Sequence, residues 1–107
     1  MKLPFRTTVG WILEDPSALE NWMLVSLPKA SGLHSADQAM IFDSRELDPA
    51  DDYPPEAGAL GLRTVVGAPS IQDVLSNLSQ QRPDPDIQKK LEALNYYLTH
   101  DAFISLS

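Results

Sequence analysis

Two predicted helices within residues 69–103 constrain the fold more than any other stretch of this sequence. In the first helix, apolar residues recur at positions i, i+3, i+4 and i+7, which places them on one face. These residues are Ile71, Val74, Leu75 and Leu78. Ser70 is expected to cap this helix, and Asp73, three residues later, to complete a capping box.

The second helix is predicted to follow a turn at Arg82 and Pro83. Asp84 is expected to cap it, and Pro85 suits the first helical position because its missing backbone donor costs nothing there. The apolar stripe of this helix consists of Ile87, Leu91, Leu94 and Leu98. Each helix has one apolar face to bury, so the pair predicts a scaffold that packs on another layer.

Three apolar runs predict the strands of that layer. Residues 22–27 and 38–43 carry aromatic and β-branched side chains, and the loop between them predicts an antiparallel pair. Residues 60–66 predict the third strand. Near the N-terminus, residues 7–15 predict a short helix with a threonine cap that ends at Pro16.

Together these elements predict a single α+β domain over residues 1–107. We expect a small, mainly antiparallel three-stranded sheet, packed by the two C-terminal helices, with the short N-terminal helix on its flank. A chain of 107 residues is typical of one domain and buries roughly two-thirds of its unfolded surface. Residues 44–59 are rich in acids and prolines and predict an irregular connection, with one helical turn from Pro55 as an option.

The composition limits the classes of partner. The formal net charge of −7 opposes nonspecific binding to nucleic acids and anionic lipids and favours a basic protein, although acidity is also an ordinary means of staying soluble. The absence of cysteine excludes disulfides and thiolate metal sites. No apolar run approaches the roughly 20 residues of a membrane span, and no signal peptide is recognised. We therefore expect a cytoplasmic protein with no nucleic-acid or membrane partner.

Residues 43–56 contain six acidic residues and one basic residue, so this segment supplies most of the net charge. Three interpretations are open: a solvated loop, a protein-binding loop, and a catalytic or metal-binding loop. Tyr53 favours protein binding, because an aromatic ring among exposed acids supplies contact area. The candidate protein-binding residues are Asp48, Asp51, Asp52, Tyr53 and Glu56.

The sequence has no recognised motif for catalysis or for binding a cofactor or metal. His34 and His100 are far apart in the chain, and neither has a second strong ligand at helical spacing. The serines lack a Gly-x-Ser-x-Gly elbow, and the glycines lack the spacing of a phosphate loop. Prolines interrupt the alternating oxygen ligands of a calcium loop. We therefore predict that the chain is not an enzyme and takes no cofactor or metal.

Residues 70–78, 81–85 and 91–103, with the acidic stretch after residues 41–43, resemble a family of small acidic bacterial proteins of unassigned function. Members of that family are similar to the immunity-type proteins found beside bacterial toxins. The resemblance implies that the chain neutralises a partner by binding it. The shared motifs are structural, so the resemblance assigns no functional residue.

These observations predict a noncatalytic protein-binding protein, an immunity or antitoxin-like inhibitor that presents its acidic segment to a basic partner such as a bacterial toxin. Complementary charge would speed the encounter of the two proteins. The main alternative is an accessory or regulatory module, with homodimerisation one option, that uses an exposed helix face. A small enzyme of unknown type is the third interpretation.

Overall fold

One antiparallel sheet with helices on both faces organises the structure, a computed structural model that describes residues 2–106. Its strands are β1 (Phe5–Thr8), β2 (Met23–Leu27), β3 (Gln38–Asp43) and β4 (Thr64–Gly67). Its α-helices are α1 (Val9–Glu14), α2 (Pro55–Ala59), α3 (Ala68–Gln81) and α4 (Ile87–His100). The strand order across the sheet is β1-β3-β2-β4, and every neighbouring pair is antiparallel.

The α+β class agrees with the prediction, but the expected three-stranded sheet is wrong. Within residues 2–106 the sheet has a fourth strand, β1, which pairs with β3 so that Phe5 lies opposite Ile41 and Thr8 opposite Gln38. β1 has only four residues and runs directly into α1, so the sequence contains no separate apolar run for it. The conformation of β1 is determined by its pairing with a strand that is distant in the sequence, and not by local propensity.

The number of helices was also underestimated. The described part of the chain contains four α-helices, whereas the prediction had two C-terminal helices and one at the N-terminus. The additional helix, α2, has five residues and begins at Pro55, whose fixed φ suits a first helical position. It lies within the segment that was predicted to be an irregular connection, at the residue from which the sequence left one helical turn open.

The predicted cap of α3 is wrong. This helix begins at Ala68, three residues earlier than a Ser70 cap implies, and Gly67 occupies the N-cap position without a side-chain hydrogen bond. Ser70 therefore lies inside the first turn. Pro69 stands near the start of the helix, where a residue without a backbone donor is tolerated.

The cap of α4 lies two residues later than predicted. Asp86 is the N-cap, and its Oδ1 accepts a hydrogen bond from the Lys89 N–H at 2.9 Å. Asp84 has a φ of 51°, in the left-handed region, whereas an N-cap residue is typically extended. Asp84 thus belongs to the turn between α3 and α4.

Several other boundaries agree with the sequence prediction. The bounds of β3 are as predicted, β2 starts one residue later, and the two strands pair antiparallel. The threonine cap of α1 is confirmed, since Thr8 Oγ1 accepts a hydrogen bond from the Trp11 N–H at 3.2 Å. β4 begins at Thr64 rather than at residue 60, because Leu60 is the C-cap of α2 and Gly61 follows in a turn with a φ of 77°.

The main core lies between one face of the sheet and helices α1, α3 and α4. Val25 and Ile41, at the centre of the sheet, are completely buried there. Leu91 and Leu94 of α4 pack into the same cluster, as the predicted stripe requires, while Ile87 and Leu98 are half-buried at its margin. Burial of these side chains supplies the main stabilisation of the fold.

A second, smaller apolar cluster lies on the opposite face of the sheet, around Met40 of β3. Met40 packs there with Ala57 and Leu62, and Tyr53 and Leu60 add half-buried side chains. Since Met40 and Ile41 are consecutive in a strand, their side chains point to opposite faces of the sheet. The acidic segment and the turn after α2 therefore cover the second face.

The helices α3 and α4 each have 14 residues. A helix needs about 20 predominantly apolar residues to cross the hydrocarbon core of a bilayer. Among residues 2–106, no helix combines the length and the apolar character that a membrane span requires.

Candidate functional site

Residues 43–59, which start at the last residue of β3, fold back over the sheet with apolar residues inside and acidic residues outside. It consists of a 3-10 turn at Ser44–Glu46, a loop, and helix α2. Pro54 and Ala57 are buried beneath it, whereas Asp48, Asp51 and Glu56 are exposed. The segment is therefore anchored by its apolar residues, and this anchoring holds the carboxylates on its outer surface.

Asp43 and Arg45 fix the start of this segment. The Asp43 carboxylate accepts hydrogen bonds from the Arg45 backbone N–H at 2.8 Å, from Nε at 3.1 Å and from Nη2 at 3.0 Å. The side-chain hydrogen bond from Arg45 lowers the pKa of Asp43 below its ordinary value of 3.8, although partial desolvation opposes this shift. The pair thus stays ionised at neutral pH.

Trp22 holds the same arginine from the other side. The Arg45 guanidinium lies 4.3 Å from the centroid of the Trp22 ring, a distance typical of a cation–π contact. In addition, Ser44 Oγ donates a hydrogen bond to the Trp22 carbonyl at 3.2 Å. These contacts join the turn after β3 to the residue that precedes β2.

Next to this pair lies an open cavity of about 230 Å³. Five of its lining residues are acidic: Asp43, Glu46, Asp48, Asp51 and Glu56. The other lining residues are Pro4, Phe42, Leu47, Pro54 and Pro55. The cavity therefore combines an acidic rim with apolar walls. We call it the acidic cavity.

The structure brings together three of the five predicted binding residues. Asp48, Asp51 and Glu56 all line the acidic cavity. Asp52 is exposed on the same segment but does not line the cavity. Tyr53 is half-buried and packs in the Met40 cluster, so much of its ring supports the fold of the segment.

Helix α2 approaches Tyr53 closely. A Cβ atom added to Gly58 would lie 3.1 Å from Tyr53 Cε2, which is tighter than an ordinary van der Waals contact. Glycine at this position therefore lets α2 pack against the ring. The tight packing limits the part of Tyr53 that a partner can contact.

The sequence analysis did not identify Asp43, Glu46 and Phe42 as part of this site. Asp43 ends β3, and Phe42 precedes it in the strand, so both were interpreted as sheet residues. Glu46 belongs to a turn whose direction the sequence does not specify. The sequence signal that pointed to Asp43 and Glu46 was the high density of acidic residues over 43–56, which includes both.

Most of the rim carboxylates lack an ion-pair partner. Asp43 pairs with Arg45, but no basic side chain among residues 2–106 forms a salt bridge with Glu46, Asp48, Asp51 or Glu56. Like charges around one cavity repel one another, and a basic group from outside the chain would relieve this repulsion. The geometry thus favours a cationic ligand over an anionic one.

The two histidines occupy other parts of the surface. His34 Nδ1 lies 3.8 Å from Asp37 Oδ2 in the loop before β3. The His100 ring, at the end of α4, packs against Tyr96 with 4.2 Å between the centroids. Across the described chain, no group of three or more His, Asp or Glu side chains has an arrangement that could hold a metal ion.

Comparison with known proteins identifies a family without a known activity. The model of a domain of unknown function, DUF7716, matches residues 6–106. No curated protein matches the chain, and no solved structure does. The match agrees with the expected family of unassigned function, whereas the similarity to immunity-type proteins stays a prediction.

Proposed function

The chain belongs to DUF7716, a family of unknown function, and we propose that it is a noncatalytic protein that binds a basic protein partner at the acidic cavity. The observation that supports this proposal is the group of five carboxylates around one partly apolar cavity. Arg45 forms an ion pair with Asp43 and also attracts Glu46, but one cation does not balance five carboxylates, so the rim keeps a negative charge. A lysine or arginine side chain of a partner would complement it.

Charge and apolar surface have different roles in this proposal. The exposed carboxylates of the rim attract a basic protein over a distance and so raise the association rate. The apolar wall residues that are accessible, Pro4, Leu47 and Pro55, offer surface for the aliphatic stem of a lysine or arginine. Contacts of this second kind mainly slow dissociation.

The exposure of the rim favours binding over catalysis. Asp48, Asp51 and Glu56 are exposed to water, whereas a catalytic carboxylate usually lies in a desolvated pocket that adjusts its proton affinity. Solvated carboxylates are well suited to electrostatic attraction. We therefore assign them to recognition of a partner.

An immunity or antitoxin-like inhibitor is the specific form of this function that we favour. In that form the partner is a basic bacterial toxin in the cytoplasm, and binding neutralises it. The support is the resemblance carried by residues 70–78, 81–85 and 91–103 together with the acidic surface.

Affinity capture with matched variants tests the proposal. The tagged chain is compared with a rim variant that carries Asp48→Asn, Asp51→Asn, Asp52→Asn and Glu56→Gln. A control variant carries Glu14→Gln, Asp73→Asn, Asp84→Asn and Asp101→Asn, four exposed acids outside the segment. Both variants lose four negative charges, so a difference in the amount of captured protein reflects where on the surface the charges were removed.

The proposal predicts that a basic protein is captured by the parent and by the control variant and is depleted with the rim variant, as quantified by mass spectrometry. Equal capture by all three proteins would contradict binding at the acidic cavity. Circular dichroism spectra and thermal melts establish that both variants are folded.

The alternative is a regulatory or accessory module that binds through α4. Tyr96 on this helix is 36% exposed, and its ring packs on His100 at the outer surface. Loss of a captured protein with Tyr96→Ala, but not with the rim variant, would favour this alternative. Self-association of the chain would support its homodimeric form.

A further inference from the structure

Strand β1 lies at one edge of the sheet. Its neighbour within the sheet is β3, so the outer edge of β1 has no paired strand among residues 2–106. A free edge presents backbone N–H and C=O groups that another strand can bind. The side chains on the two sides of this edge indicate which strand that is.

On one face, this edge carries an arginine next to the acidic cavity. Arg6 of β1 lies opposite Met40 of β3, so its side chain points to the face that residues 43–59 cover. Pro4, two residues before Arg6, lines the acidic cavity. Arg6 is exposed and forms no salt bridge with an acid among the described residues. The edge therefore carries an unpaired cation on the side of the cavity.

On the other face, the same edge is aromatic. Phe5 lies opposite Ile41 on the face of the main core, and its ring centroid is 5.3 Å from that of Trp11. Trp11 is 39% exposed. Tryptophan is enriched in protein interfaces, where it often contributes a large share of the binding energy. An exposed aromatic contact and an unpaired cation thus lie on the two sides of one free edge.

We propose that two copies of the chain pair antiparallel through β1, so that Arg6 of each copy reaches the acidic cavity of the other. Two copies of one strand related by a two-fold axis place one residue opposite itself. With Phe5 at the axis, Arg6 lies opposite Pro4 of the second copy and beside the cavity that this proline lines. On the other face, the Phe5 and Trp11 rings of the two copies meet. This inference rests on the acidic cavity of the proposed function and gives it a second occupant.

Charge complementarity selects this register. With Arg6 at the axis, the two arginines would lie directly opposite each other, and such like-charge pairs destabilise strand pairing. With Thr7 at the axis, Arg6 would lie opposite Thr8, away from the cavity. A charged residue on an edge strand ordinarily opposes edge-to-edge pairing. Here it favours one arrangement, because carboxylates lie next to the position opposite it.

The shared edge is short, since β1 has four residues. A small interface is typical of weak and reversible association. We expect a dissociation constant on the order of 10–100 µM for the dimer. In the dimer, Arg6 of the second copy interacts with the carboxylates of the rim. Dimerisation and an external basic partner therefore compete for the same cavity.

Sedimentation equilibrium of the full-length chain, over roughly 1 µM to 1 mM, tests the proposal. The edge variant is Arg6→Glu. Its matched control is Arg63→Glu, the same charge change at an exposed arginine that precedes β4 at the opposite edge of the sheet. The parent and the control should show a monomer–dimer equilibrium. Arg6→Glu should raise the dissociation constant at least about tenfold, because the two-fold axis places the substitution in the interface twice. Trp11→Ala should also raise it.

An exchange of charges tests the contact between Arg6 and the cavity. The reversed-cavity variant carries Asp48→Lys and Glu56→Lys, and its dimerisation should be weakened because its lysines face Arg6 of the second copy. An equimolar mixture of this variant with Arg6→Glu should form a heterodimer. In that heterodimer the introduced glutamate faces the introduced lysines, and the remaining Arg6 faces an unchanged cavity. Circular dichroism spectra establish that each variant is folded.

A parent that is monomeric over the whole concentration range would overturn the proposal. So would equal losses with Arg6→Glu and Arg63→Glu, or a mixture of the two charge variants that stays monomeric. A dimer that is lost with Tyr96→Ala but kept with Arg6→Glu would place the interface on α4 instead.

The failure of the dimer and the failure of the proposed function are distinguishable. Affinity capture with the rim variant reports an external basic protein, and a monomeric parent leaves that result unaffected. Conversely, equal capture by the parent, the rim variant and the control variant would reject the external partner, whereas the sedimentation of the parent and of Arg6→Glu would still report the dimer.

Discussion

Leu94→Ala measures how strongly α4 holds the fold together. Leu94 is 2% exposed and packs in the main core between α4 and the sheet. The substitution deletes three carbon groups, which corresponds to about 2.4 kcal/mol of lost transfer free energy at about 0.8 kcal/mol each. The cavity left behind adds to this, and the total loss for a buried leucine is about 2–5 kcal/mol. We expect about 3–4 kcal/mol.

A loss of this size is a large share of the roughly 5–15 kcal/mol that stabilises a typical domain. The assay is urea unfolding at equilibrium, with the slope m checked so that a change in midpoint reports stability. Leu98→Ala is the matched control, because it is the same substitution on the same helix at a half-buried site. Its loss should be clearly smaller. Equal losses for the two variants, or a loss below about 1 kcal/mol for Leu94→Ala, would refute the placement of α4 on the sheet.

Three further predictions concern Asp43, Ser26 and metal ions. The pKa of Asp43 is lowered in the folded state, so the stability that its carboxylate contributes is present above its unfolded pKa near 3.8 and is lost as pH falls through the folded value. The difference in unfolding free energy between the parent and Arg45→Gln should therefore shrink below about pH 4, as measured by acid unfolding. Ser26 Oγ is buried without a hydrogen-bond partner among the described residues. Ser26→Ala should therefore leave the urea midpoint unchanged or raise the unfolding free energy by up to about 1 kcal/mol. A clear loss of stability would show that the hydroxyl has a partner. A chelator, zinc, calcium or magnesium should leave the melting temperature unchanged, and a reproducible shift would contradict the metal-free prediction.

The elements that the sequence predicts well are those with a clear local period. The stripe from Ile87 to Leu98 repeats at helical spacing, and the structure buries or half-buries each of its members. Likewise, residues 38–43 form a compact apolar run, and β3 has those bounds. Burial reinforces the local preference at both places, so pattern and structure agree.

Other features depend on contacts between distant parts of the chain. β1 forms because Phe5 to Thr8 pair with the neighbouring strand β3. No turn motif in the sequence indicates where this strand lies. The N-cap of α4 is Asp86 rather than Asp84, since both acids suit the role and only the path of the turn decides between them. Propensity alone does not resolve such choices.

The sequence identified some of the acids that line the acidic cavity, but it did not predict the cavity. The charge of residues 43–56 is visible in the sequence, and it led to Asp48, Asp51 and Glu56, which line the cavity. The apolar walls include Pro4, which precedes β1 and is distant from the acidic segment in the sequence. The half-burial of Tyr53 was not predicted either, because it follows from packing against α2. Burial of a loop side chain depends on how the loop folds back.

Association kinetics with the captured partner test the central claim most directly. The rates for the parent, the rim variant and the control variant are measured over a series of salt concentrations. The account predicts that the rim variant associates more slowly and loses most of its salt dependence, while the control variant stays closer to the parent. Identical rates and salt dependence for the rim variant and the parent would contradict recognition through the acidic cavity.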